Sequence, residues 1–112
     1  MKQITIPPEA FTEGDGQVDC YCEHGGLAIT RLPMLRDDTR GWRVTHVRSG
    51  LIAVSHVTLP QARAMLTALL SLDGVDWTKE SGQLHPGGLR ALGEIVYALR
   101  DRVLRSIAKA EE

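Results

Sequence analysis

From Trp42 to Val57 apolar side chains recur through two runs, WRVTHVR and LIAVSHV, broken only by Ser49-Gly50. Both runs are dense in β-branched residues, which suit a pleated, half-buried surface. A two-residue break ending in glycine between such runs predicts a tight hairpin, because glycine supplies positive φ without steric cost. That turn would pair Val47 with Ile52, Thr45 with Val54 and Trp42 with Val57. Side chains alternate across a sheet, so one face should carry Trp42, Val44, His46, Leu51, Ala53 and Val57. The other should carry Arg43, Thr45, Val47, Ile52, Val54 and His56. The face holding the large aromatic is expected on the core; the second face also has three aliphatics.

The period then changes to that of a helix. Thr58-Leu59-Pro60-Gln61 has the T-x-x-Q form of a capping box, with Pro60 in a first turn that needs no donor there. Ala62, Met65, Leu66, Leu69 and Leu70 follow the spacing of a buried helical stripe, and Asp73-Gly74 is the expected stop. Trp77 should fold back onto the sheet or the helix end. Pro86 opens a second helical pattern, in which Leu89, Leu92, Val96, Leu99 and Val103 step by three and four residues. Gly93 interrupts it at a cost of up to about 1 kcal/mol relative to alanine, or permits close approach to another backbone. The apolar seam fits either a helix covering its own sheet or a homodimer contact.

Upstream, Gln17–Glu23 and Leu27–Leu32 read as two strands around a His24-Gly25-Gly26 turn, and Met1–Ile6 as an edge strand ended by Pro7-Pro8. The expected fold is therefore α+β: a four-stranded antiparallel meander, with an extra N-terminal edge strand possible, and two C-terminal helices, at least one packed on a sheet face. The chain divides into an arm and acidic loop anchored by Phe11 (1–16), a sheet (17–57), a first helix (58–74), a connection (75–85) and a second helix (86–110). At 112 residues it is one domain with room for a single core.

The net charge of −1 argues against a generic polyanion binder. Its distribution is uneven, because Arg31, Arg36, Arg40, Arg43, Arg48 and Arg63 face only Asp37 and Asp38 between residues 31 and 63. No N-terminal apolar leader and no run near the roughly 20 apolar residues of a membrane span is present, so the expected setting is cytoplasmic with no membrane partner.

The most chemical-looking segment is Cys20-Tyr21-Cys22-Glu23-His24. Two thiolates and an imidazole, with His46 or His56 as a fourth ligand, could begin a zinc site. The C-x-C spacing is too short to wrap an ion, and small buried cysteines explain the same residues. His56 beside Arg43 is a candidate contact residue, whereas His46 falls on the opposite face. No G-x-S-x-G, G-x-x-x-x-G-K-[ST], H-E-x-x-H or G-x-G-x-x-G pattern occurs. The sequence therefore carries no signature of an enzyme and calls for no cofactor.

Residues 41–77, G-W-R-V-T-H-V-R-S-G-L followed by T-L-P-x-A-R and ending in D-W, are similar to small bacteriophage-type proteins of high-GC hosts. That resemblance implies an accessory protein, an inhibitor or regulator, acting by binding a host protein. Four strands followed by a helix also resembles, in element order alone, the Whirly-type single-stranded DNA binders, though lysine-rich segments and abundant stacking aromatics are missing. The expected contact surface is the outer hairpin face: Arg31, Arg43, Thr45, Val47, Arg48, Ile52, Val54 and His56. Its aliphatics rimmed by arginine suit a protein partner. Single-stranded nucleic acid on the same face is the alternative.

Overall fold

A computed structural model describes residues 2–5, 17–31 and 40–111; the Phe11 loop and the Asp37-Asp38 pair lie outside them. The described chain is α+β. Strands β1 (Lys2–Thr5), β2 (Gln17–His24), β3 (Leu27–Arg31), β4 (Trp42–His46) and β5 (Ile52–Val57) are followed by α1 (Leu59–Leu70) and α2 (Gly88–Glu111). The strands form one antiparallel sheet in chain order, β1-β2-β3-β4-β5, so the meander has the N-terminal strand as one edge and β5 as the other. No described helix is long and apolar enough to cross a membrane.

Helix α1 begins as its sequence dictates. The Gln61 amide donates to Thr58 Oγ1 at 3.3 Å, and the Thr58 amide donates to Gln61 Oε1 at 2.9 Å. The reciprocal pair satisfies two donors that the first turn leaves over. Ala62, Met65 and Leu69 are fully buried against the sheet core of Leu27, Ile29, Trp42, Val44, Val54 and Val57. Each large side chain buried this way stabilises the fold by roughly 1.5–3 kcal/mol. The helix stops at Leu70, earlier than Gly74. Ser71 turns its hydroxyl back to the Thr67 carbonyl at 2.9 Å and its amide to Ala68 and Thr67, closing the last turn without a left-handed glycine.

Trp77 ties the connection to both layers. Its indole N–H donates to the Leu69 carbonyl at 2.9 Å, and its own carbonyl accepts from His46 Nε2 at 2.8 Å. That carbonyl lies so close to the β2–β3 turn that a Cβ on Gly26 would overlap it, and Gly26 also has φ +94. Only glycine meets both conditions. Pro86, Gly87 and Gly88 form a turn, with the Gly88 amide on the His85 carbonyl at 3.0 Å, so α2 starts two residues after the proline. Its seam residues Leu92 and Leu99 are buried within this chain, with Val96 and Val103 packed on the same core. Helix α2 lies chiefly on α1, not across the sheet.

Candidate functional site

Two departures from simple alternation decide which side chains are available. The hairpin turn is wider than Ser49-Gly50. The His46 amide donates to the Leu51 carbonyl at 2.8 Å and the Gly50 amide to the His46 carbonyl at 2.7 Å, so residues 47–50 form the turn. Beyond it, Thr45 pairs with Ile52, Val44 with Val54 and Trp42 with Val57. One step on β4 matches two on β5, and the next two match three. Strand β5 therefore holds two extra residues, and His56, at φ 58, stands in the left-handed region. Each extra residue resets the alternation.

The consequence for the expected outer face is large. Val54, assigned there by pattern, is 3% exposed and packs in the helix-side core. Arg43 and Thr45 do lie on the face away from the helices, but they are buried at 3% and 0% exposure. Arg43 Nε donates to Thr30 Oγ1 at 3.0 Å, and Thr30 and Thr45 share a hydrogen bond at 3.1 Å. Buried polar groups persist when they are paired in this way. Burial lowers the Arg43 pKa to about 10, which leaves the guanidinium charged at neutral pH. These three residues are interior and do not form a contact surface.

The remaining expected residues are scattered. Arg31 is half-buried with its guanidinium over Trp42, 5.2 Å from the ring centroid, while Tyr21 meets the same ring edge-on. Val47 is half-buried and Arg48 exposed, both in the turn. Arg48 donates to the Thr78 carbonyl at 3.1 Å and lies 3.4 Å from Glu80. His56 is exposed, in contact with the Ser55 hydroxyl. Cys20 pairs across with Thr30 and Cys22 with Ile29, neighbours whose side chains point to opposite faces. The bulge between the cysteines thus puts the two thiols on opposite sides of the sheet, so they do not share an ion. Among the described residues no group of three His, Cys, Asp or Glu side chains could hold a metal.

What the structure does bring together is apolar. An open cleft of about 270 Å³ separates the hairpin tip from the first turns of α2. Leu51, Ile52 and Ala53 form one wall, Leu89, Leu92, Gly93 and Val96 the other, and Trp77, Leu84 and Leu27 close it from below. Leu51 at 46%, Ile52 at 41% and Leu89 at 43% exposure stand at its lips. Leu51, expected in the core, is pushed outward by the wider turn. Leu89 and Leu92 were legible as a helical seam, but nothing in the pattern said that the sheet would stand off from them. Gly93 was the available signal, an unfavourable residue in a helix with no neighbour to accommodate: a Cβ there would meet nothing within 4 Å.

His46 is the polar side chain on the cleft wall. Since the Trp77 carbonyl only accepts, Nε2 carries the proton, and Nδ1 accepts from the Ser49 hydroxyl at 2.6 Å. Ser49 Oγ in turn accepts the Leu51 amide at 3.1 Å. Burial pushes the His46 pKa below its ordinary value; the Trp77 and Lys79 backbone oppose that and the Arg48 charge adds to it. The ring is therefore neutral at neutral pH. A serine–histidine contact has the reach of a nucleophile–base pair, but this one serves the turn: its hydroxyl receives an amide, and a backbone carbonyl orients the ring. Neither family models, curated proteins nor solved structures give a significant match to the chain.

Proposed function

We propose that the chain is a non-enzymatic binding module and that the cleft between the hairpin tip and α2 is its contact site for a protein partner. The observation that carries this reading is the set of three exposed aliphatics, Leu51, Ile52 and Leu89, gathered around one apolar cleft. Single exposed apolar residues are ordinary, whereas apolar side chains clustered around a concavity favour contact with another molecule. Arg48 sits exposed in the adjoining turn, where it donates to the Thr78 carbonyl and makes a surface pair with Glu80 that contributes little. Arginine beside an aliphatic patch is the composition of a protein contact. In the bacteriophage setting that residues 41–77 resemble, the partner is a host protein, and the module inhibits or regulates it by occupancy.

The test is affinity capture from a high-GC bacterial lysate, with and without nuclease, by the wild-type chain and by Ile52→Asp. A specific protein that survives nuclease and is lost with Ile52→Asp supports the reading. Partners lost on nuclease treatment, with affinity falling steeply in salt, would instead favour single-stranded nucleic acid. A partner held equally by Ile52→Asp would place the contact elsewhere.

A further inference from the structure

We infer that the cleft takes an amphipathic α-helix of the partner, presenting apolar residues at i, i+3 or i+4, and i+7. The inference rests on the reading of the cleft as a protein contact site and names what enters it. Three features of its walls carry it.

The first is the state of His46. Small-molecule sites orient their ligand with a few polar groups set in an apolar lining. Here both ring nitrogens of the polar wall residue are already engaged, by Ser49 and by the Trp77 carbonyl. An occupant gains no hydrogen bond from that side chain and is best suited by bringing apolar groups alone. An apolar cavity of about 150 Å³ accepts one benzene-sized group, so the 270 Å³ here has room for groups from successive turns of one helix face.

The second is the edge beside the cleft. An extended peptide would add to β5 by continuing its ladder. Strand β5 carries two extra residues against β4, and His56 is left-handed. Bulges bend a strand and interrupt its ladder, which is how edges are kept from accepting further strands. A helix needs no ladder, because its backbone is satisfied internally.

The third is Gly93. Glycine is the least favourable residue in a helix interior apart from proline, and no neighbour among the described residues requires it, since a Cβ would meet none of their atoms within 4 Å. The gap lies on the cleft wall. The approach distance of two helices is set by the side chains between them, and a glycine at the contact lets a second helix come close to α2.

The experiment is selection from a display library of random linear peptides against the intact chain, followed by amide shift mapping and by affinity for Gly93→Leu. Enriched peptides should carry the helical apolar spacing, gain helical circular dichroism on binding, and shift the Leu51, Ile52 and Gly93 signals. They should lose affinity by about tenfold or more when the cleft is filled in Gly93→Leu. Ile52→Asp on the opposite wall repeats the test without touching α2, should the leucine variant not fold. Peptides that alternate apolar and polar residues and protect β5 amides from exchange would overturn the helix while leaving the protein contact site standing. Failure to enrich any peptide at the cleft, or equal affinity for both variants, would overturn the helix and the contact site together.

Discussion

The two strands of the β4–β5 hairpin have inverted chemistry. On β4, Arg43 and Thr45 are interior, joined through Thr30 by hydrogen bonds. Where the chain enters β5, Leu51 and Ile52 are nearly half exposed beside an apolar cleft. Polarity therefore does not decide burial here. A polar group can be buried once its donors and acceptors find each other. An apolar group stays in water when the turn that carries it leads away from the core.

The sharpest way to break this contrast is to exchange charge on β4. Arg43→Glu puts a carboxylate against two threonine hydroxyls in the interior, and should cost about 4 kcal/mol or more. Urea denaturation would show it, and a variant that unfolds at the wild-type midpoint would return Arg43 to the surface. Gly26→Ala comes next. Its Cβ overlaps the Trp77 carbonyl at a left-handed φ, and the expected loss is roughly 2–3 kcal/mol, seen as a lower urea midpoint. An unchanged midpoint would mean that the Trp77 segment does not sit on the β2–β3 turn.

His46 joins the tip to that segment and adds a pH dependence. Its folded pKa lies below the ordinary value of about 6.5, so in that window the unfolded chain binds more protons. Stability is then full above the ordinary pKa and falls as the pH drops through it toward the lowered folded value. Thermal melts from about pH 7.5 to pH 5 should show the loss, and His46→Gln should flatten it. A slope unchanged in that variant would assign the effect to another group.

The cleft side should respond in the opposite sense. Gly93→Ala restores helix propensity with space to spare and should stabilise by about 0.5–1 kcal/mol. Ile52→Asp should change stability by no more than about 0.5 kcal/mol, as exposed positions do, while removing the partner. A large destabilisation by Ile52→Asp in the same urea assay would show that the tip is core.

The fold was readable because its elements are written locally. The T-x-x-Q box at Thr58, the glycine turn after His24 and the stripe from Ala62 to Leu69 each act within a few residues. The orientation of β5 was not readable, because a bulge adds one residue without any compositional mark, and the one between Ile52 and Val54 moved Val54 inward. Ser49 concealed the turn length, since its hydroxyl takes the Leu51 amide and supports a wider loop. Arg43 was misplaced for a related reason: a lone arginine in a strand looks solvated until its threonine partner on β3 is known. The cleft depends on the distance between the hairpin tip and α2, which no local pattern encodes, although Gly93 hinted at it.

The inversion is tested most directly by adding a soluble nitroxide to methyl-labelled protein and measuring the relaxation enhancement of each methyl signal. Leu51, Ile52 and Leu89 should broaden strongly, while Thr45, Val54 and Val57 stay sharp. Strong broadening of Thr45 and Val54, with Ile52 and Leu89 protected, would contradict the account and return the contact surface to the sheet face.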